Sequence, residues 1–389
     1  MSRMLAMLSG KGGSGKTTLA LSMSSLLADC GINVLLVDCD LSTNGATYFY
    51  EKNLTQEIEK IISLNSILLD VVNNDCYELL IKDNFHFIPS ITSITEMEET
   101  YSIGQDGRIE SVIEFFNKAR ERYDIILFDC QAGYTFLLDS ILRLTDINLV
   151  VMEADAISSA SIRSLYLKTS NMLDKKKVFQ IFNKVTKEED QVYSRVSGGT
   201  FFTNIGTMSF DWKVRKAFAM AIVPDIENTS YNYGNKVYEL CKILFPEREY
   251  ENNLSEYKNK LDYLNNIEKK KILQEQIFDF EVLKKDKSTE KTRKLMSMML
   301  PLAASAMIVA ILSLDNSINN ILDTNLITTL LITCLAVSAS ILLMLEITND
   351  QRERRHKRDI MLKQLDELDE MIINSKEVIN SKSKKNRYE

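Results

Sequence analysis

Between the apolar run Met4 to Leu8 and the helical pattern Leu19 to Ala28 lies Lys11-Gly12-Gly13-Ser14-Gly15-Lys16-Thr17-Thr18, and few folds accommodate such a stretch. It reads as strand, glycine-rich loop and helix. Glycines let the backbone turn tightly and aim its N–H groups inward, so a phosphate chain can rest against them and against the positive helix N-terminus. In such a cradle Lys16 reaches the β- and γ-phosphates and the Thr17 hydroxyl ligates Mg²⁺. Gly12, Gly13, Ser14, Gly15, Lys16, Thr17 and Thr18 are therefore the expected residues for binding ATP and Mg²⁺.

The helix after the loop is expected to end near Gly31, which suits a position just past a helix C-terminus. The apolar run Ile32 to Val37 then predicts a strand buried on both faces of a parallel sheet, ending in Asp38-Cys39-Asp40. In an open α/β sheet ligands bind at the carboxyl ends of strands, which puts this acidic pair beside the phosphates. One carboxylate, Asp38, is expected to serve Mg²⁺, and the other, Asp40, to position the attacking water. Asp40 also reads as a turn or cap residue, because Leu41-Ser42-Thr43-Asn44-Gly45 is turn-forming.

Further along, Phe85 to Ile88 predicts a strand on which His86 is a structural rather than a catalytic residue. Ile109 to Arg122 has helical spacing, and Tyr123 to Phe128 predicts another buried strand. That strand closes in Asp129-Cys130-Gln131-Ala132-Gly133. An acidic residue in that place is the arrangement whose carboxylate supports Mg²⁺ through the Thr17 shell. Ile147 to Met152 and Val178 to Phe182 supply two more strands. Helices alternating with short apolar runs predict an α/β fold, a doubly wound, mostly parallel sheet of the P-loop NTPase kind. Asn183, at a strand's carboxyl end, reads either as a reader of adenine's edge or as a turn former.

The net charge of −7 is carried by residues 1–245, so nucleic acid is not a favoured partner. Six cysteines lie far apart with no CxxC pair, which points to a reducing compartment and to neither a disulfide framework nor a zinc site. The start, Met1-Ser2-Arg3-Met4, leads straight into the first strand, and no signal peptide is expected.

Over residues 1 to 245 the chain resembles the ParA/MinD group of ATPases with a deviant Walker A loop. The likeness rests on Lys11 to Thr17, Val37 to Asp40, Tyr123 to Asp129 with Ala132-Gly133, Asn183, and Asp211 to Pro224. The second lysine at the start of the loop, Lys11, is its most specific mark. The resemblance implies that Lys11 reaches across a nucleotide-sandwich homodimer to the phosphates held by the other subunit. It also implies Asp40 in water activation, Asp129 at Mg²⁺, and Asn183 with Asp225 near adenine. One departure stands out: relatives of the ParA kind continue the Asp-x-Asp strand with Pro-Gln-Gly, where this chain has Leu41 to Gly45.

The remainder has a different character. Residues 1–246 are the expected ATPase domain and 247–294 a charged helical linker. Its Leu254, Tyr257, Leu261, Leu264 and Ile267 suit either a coiled-coil stalk or a helix packed on its own domain. Residues 295–347 are expected as a transmembrane hairpin, spans 295–314 and 326–347. The uncharged runs Leu295 to Leu314 and Leu326 to Leu345 are each long enough to cross a bilayer core of roughly 30 Å. Lysines and arginines flank both runs on their outer sides, and the connection Asp315 to Asn325 has none. That asymmetry places both termini and the ATPase domain on the cytoplasmic side of the cell membrane. Residues 348–389 are expected as a cytoplasmic helix and tail.

The expected function is a membrane-anchored ATPase acting as an ATP-dependent dimerisation switch that recruits or regulates an unidentified protein partner and is reset by hydrolysis. One alternative is a nucleotide-bound scaffold or sensor of a membrane complex or defence system. Another is a bacterial tyrosine kinase, which the order of domains and the lone terminal Tyr388 oppose.

Overall fold

The computed structural model describes residues 2–55, 58–91, 109–173, 176–186, 202–247, 250–279, 294, 297 and 323–385. They fall into two compact units, Met1–Asp262 and Tyr263–Glu389.

In the first unit the order is β1 (Arg3–Leu8), α1 (Lys16–Asp29), β2 (Val34–Cys39), α2 (Gly45–Phe49), α3 (Leu64–Leu68), β3 (Leu79–Lys82) and β4 (Phe85–Ile88). Then follow α4 (Ile109–Ala119), β5 (Ile125–Cys130), α5 (Phe136–Leu144), β6 (Ile147–Met152), α6 (Ala156–Leu173) and β7 (Lys177–Val185). Finally come β8 (Thr203–Ser209), α7 (Trp212–Ala219), α8 (Tyr231–Leu244) and the first part of α9 (250–279). The strands form one sheet in the order β3-β4-β2-β5-β1-β6-β7-β8, parallel except for the β3–β4 pair. This is the doubly wound sheet expected from the alternation of apolar runs.

Side chains alternate across a strand, so each buried strand feeds two cores. Leu5 and Met7 of β1, Leu36 of β2 and Leu127 of β5 enter the core that α1 and α8 cover. Met4, Ala6, Leu35, Val37, Ile126 and Phe128 enter the opposite core, with α4, α5 and α6. Both faces being covered explains why these strands are continuous apolar runs rather than alternating ones.

Two details of this packing position the site. β1 lies between β5 and β6, which brings the carboxyl ends of all three together. Gly10, just past β1, passes so close to α6 that a Cβ there would stand 2.5 Å from the Ser161 carbonyl carbon.

The stretch expected as a stalk divides. Leu254, Tyr257 and Leu261 are buried in the first unit's core, and Lys258 Nζ donates to Tyr231 Oη at 2.8 Å and to Asn235 Oδ1 at 2.6 Å. The first unit therefore runs on to Asp262, past the boundary expected at residue 246, whereas Ile267 is exposed. His86 sits within β4, its ring edge-on to Tyr123 at 5.4 Å.

In the second unit the rest of α9 runs beside α10 (Asp323–Lys385). Lys270 Nζ pairs with Asp369 Oδ1, and Lys269, Ile272, Leu273 and Gln276 line a groove with Gln364, Glu367, Leu368 and Met371. Among the described residues no helix is long and apolar enough to cross a membrane. The run 295–314 lies outside those residues except for Ser297, as do 280–293 of the linker and 386–389 of the tail, while the run from 326 falls on the backbone of α10.

Candidate functional site

The loop between β1 and α1 is shaped by residues that only glycine suits. Gly13 and Gly15 have φ of +79° and +94°, in the left-handed region that side chains disfavour. Gly15 is the N-cap of α1, so the helix N-terminus opens into the loop. Asn183, at the end of β7, donates from Nδ2 to the Ser14 carbonyl at 2.9 Å, and Lys184 Nζ donates to the Gly13 carbonyl. With the Gly13 and Ser14 carbonyls engaged by β7, the loop leads into the helix N-terminus, where an anion is favoured.

A cavity of about 430 Å³ opens there. Its lining includes Gly13, Gly15, Lys16, Thr17 and Thr18 on one side and Asn183, Lys184, Phe210, Asp211, Arg215 and Tyr233 on the other. Of the loop residues expected to bind nucleotide, Gly13, Gly15, Lys16, Thr17 and Thr18 share one cavity with Asn183, whereas Gly12 and Ser14 do not line it. The second wall comes from β8, α7 and α8; its Asp211 and Arg215 fall in the stretch Asp211 to Pro224 that marks the family likeness, but sequence reasoning assigned no site residue there. Asp225 lies elsewhere: its Oδ1 accepts from the Glu227 and Asn228 amides at 2.9 and 3.0 Å, closing a turn before α8, and it does not line the cavity.

The three carboxylates at the strand ends differ sharply in their partners. Asp38 and Asp129 stand side by side in register on β2 and β5, both fully buried. Asp38 Oδ2 accepts from the Thr47 amide at 2.8 Å and its hydroxyl at 2.7 Å, and Oδ1 accepts from the Asp40 amide at 3.0 Å. Even so, burial and the neighbouring Asp129 push its carboxyl up to about 7. Asp38 is thus committed to α2, and through Thr47 to Ser90. Asp40 Oδ1 accepts from Ser42 Oγ at 2.7 Å and the Ser42 and Thr43 amides, and its Oδ2 accepts from Thr43 Oγ1 at 2.6 Å. Burial works against the Asp40 charge, yet these bonds hold its carboxyl below the ordinary value. The turn reading of Asp40 therefore describes its present partners.

Asp129 is the opposite case. Neither of its carboxylate oxygens has a hydrogen-bond partner. Burial pushes this carboxyl up, against the pull of the Lys16 ammonium and the nearby Thr17 hydroxyl. A buried, unpartnered carboxylate next to a hydroxyl is an oxygen donor set of the kind a hard divalent cation takes, so Asp129 and Thr17 fit Mg²⁺. Gly45, at the start of α2, packs against Thr17, with an added Cβ meeting Thr17 Oγ1 at 3.4 Å. The segment that follows Asp40 thereby touches the same hydroxyl.

Lys11 turns away from this cavity. Its Nζ pairs with Glu153 Oε2 at 2.8 Å and Asp155 Oδ2 at 2.9 Å, just past β6, and these two partners raise its pKa. Asp155 also caps α6 by accepting from the Ser158 amide at 2.7 Å, and its carboxyl is held down at about 2. Glu153 and Asp155 were not singled out in the sequence, although both stand at a strand's carboxyl end, which is the available signal. Among the described residues five cysteines are free thiols, and no cluster of His, Cys, Asp and Glu suits a metal.

Known proteins match this unit. Residues 2–181 match the family model described as an AAA domain. An uncharacterized protein of Methanocaldococcus jannaschii is 28% identical over 46% of this chain and 71% of its own length. The sporulation initiation inhibitor protein Soj of Bacillus subtilis is 27% identical over 38% of this chain and 56% of its own. Among solved structures, a putative plasmid partition protein of Borrelia burgdorferi bound to AMPPNP superposes with a TM-score of 0.53 at 20% identity, covering 62% of this chain and 98% of that one. The septum site-determining protein MinD of Pyrococcus horikoshii complexed with Mg-ADP gives 0.50 at 19%, covering 62% and 97%. Apart from the Methanocaldococcus protein, the chain spans about half the length of the first curated relatives that it matches. What these likenesses establish is that the first unit has the P-loop NTPase fold and is similar to the MinD, Soj and plasmid-partition proteins.

Proposed function

We propose that this chain is an ATPase whose ATP-bound form pairs with a second copy through Lys11, that a membrane hairpin anchors it, and that hydrolysis resets the pair. The observation that carries the nucleotide part is the Asp129 carboxylate, buried without a hydrogen-bond partner beside Thr17, which itself lines the glycine-walled cavity. The resemblance to a plasmid partition protein bound to AMPPNP and to a MinD bound to Mg-ADP points to the same ligands. Asp129 and Thr17 would hold Mg²⁺, which when bound neutralises charge on the terminal phosphates. Lys16, only 7% exposed at the start of α1, would meet the phosphates with its ammonium, the helix N-terminus and loop amides adding to the positive field. Asp40 would orient the attacking water once its turn releases it.

The dimer rests on Lys11. Its ammonium does not line the cavity of its own protomer, so a contact with phosphate is more readily made with a partner's. Lys11→Ala is expected to bind ATP as the wild type does and to lose ATP-dependent dimerisation. Light scattering of the full chain in mild detergent, with and without ATP, tests this. A wild-type protein that stays monomeric with ATP sinks the switch.

Two sequence runs and one contact support the anchor. The Lys270–Asp369 pair stands 25 residues before Leu295 and 24 residues after Leu345, so nearly equal lengths of chain separate it from the two uncharged runs. Such near-equality suits two apolar stretches that enter a bilayer from one side. The helix α10 passes from the second run into the basic segment Arg352 to Arg358, which suits a cytoplasmic flank. The full chain is expected to stay with membranes washed in alkaline carbonate, both termini being cut by protease added from the cytoplasmic face. Release by the carbonate wash removes the anchor and leaves the nucleotide switch standing.

A further inference from the structure

Glu153 holds two lysines at once. Lys11 Nζ lies 2.8 Å from its Oε2, and Lys184 Nζ lies 3.0 Å from its Oε1. The two cations come from different places: Lys11 opens the phosphate loop, and Lys184 follows Asn183 at the end of β7 with a left-handed φ of +58°. Lys184 also donates to the Gly13 carbonyl, so loop, lysine and carboxylate form one chain of contacts. Asp155 completes the arrangement by taking Lys11 from a second side at 2.9 Å while its other oxygen caps α6. Burial opposes the charge on Glu153, yet its bonds to Lys11 and Lys184 hold its carboxyl below the ordinary value.

We propose that Glu153, with Asp155, is a dock that keeps Lys11 within its own protomer, and that Lys184 sets the strength of that dock by competing for the same carboxylate. Glu153 is a positioning residue acting through Lys11, and the inference rests on the reading that Lys11 crosses to a partner's phosphates. Dimerisation must then break the Lys11 ion pairs in both protomers. A carboxylate shared between two cations grips each less firmly than one committed to a single cation. Removing Glu153 therefore frees Lys11, whereas removing the Lys184 charge leaves Glu153 to Lys11 alone and tightens the hold.

This gives two substitutions of opposite sign. With full-length protein in mild detergent at saturating Mg-ATP, Glu153→Gln is expected to reach half-dimerisation at about a tenfold lower protein concentration, because two partly exposed ion pairs open per dimer. Lys184→Met is expected to need a severalfold higher concentration. Raising salt from 50 to about 500 mM should erase most of the difference between Glu153→Gln and wild type, since screening weakens the dock itself. Loss of structure would shift both variants the same way and would not respond to salt. If wild type does not dimerise with ATP, the crossing-lysine reading fails and the dock with it. If wild type dimerises but Glu153→Gln does so equally or less readily, the dock fails while that reading stands.

Discussion

Gly15→Ala is expected to abolish ATP binding at concentrations that saturate the wild type. The new methyl would stand 2.1 Å from Asn183 Nδ2, and the position has a φ of +94° that alanine tolerates poorly. To admit it, Asn183 must leave the Ser14 carbonyl, whereas the Lys184 stem, 3.8 Å away, would be in ordinary contact. The lost hydrogen bond and the backbone strain together amount to about 2–4 kcal/mol, most of which falls on the loop that has to hold the phosphates. Titration with a fluorescent ATP analogue should show a weakening of about thirtyfold to several hundredfold, as 1.4 kcal/mol is tenfold. Wild-type affinity in this variant would mean that the loop does not touch the nucleotide.

The second large effect runs in two directions. Asp129→Asn keeps the shape of the side chain but removes a buried charge that no hydrogen bond satisfies. Without ligand the variant should melt no lower than wild type, because an unpartnered buried carboxylate is unfavourable. With Mg-ATP the order reverses. The Mg²⁺-dependent part of the affinity should fall by about a hundredfold, roughly 2.7 kcal/mol, and magnesium should no longer raise the melting temperature. A residue that serves only the fold would give the opposite pattern, a loss of stability without ligand and an unchanged response to magnesium.

What could be read from the sequence was local. Lys11 to Thr18 announced the cavity because glycine spacing and a following helix constrain the backbone directly, and the apolar runs ending in Asp38 and Asp129 located the strand ends. The partners of those residues depend on the order of strands across the sheet, which periodicity does not supply. Glu153 and Lys184 become neighbours only because β6 lies between β1 and β7. The cavity wall from Phe210 to Tyr233 was read only as a stretch of family likeness and not as a wall for the same reason, being assembled from three elements. Asp225 shows the opposite limit: a carboxylate flanked by turn-forming residues spends its oxygen on the turn. The helix 250–279 had two readings because its apolar spacing is equally good for a stalk and for a packed helix. Burial decides between them at Leu261 and Ile267.

The turn after β2 replaces the Pro-Gln-Gly of ParA-like relatives with a serine and a threonine whose hydroxyls both reach Asp40. If Asp40 serves the reset as proposed, four hydrogen bonds on its carboxylate would amount to a built-in delay. On that proposal, water would not be handed to the nucleotide until Ser42 and Thr43 let go, and the lifetime of the paired state would be written in two hydroxyl groups. Such an assembly would dwell long after it forms, and an outside contact on that turn would be enough to start the clock.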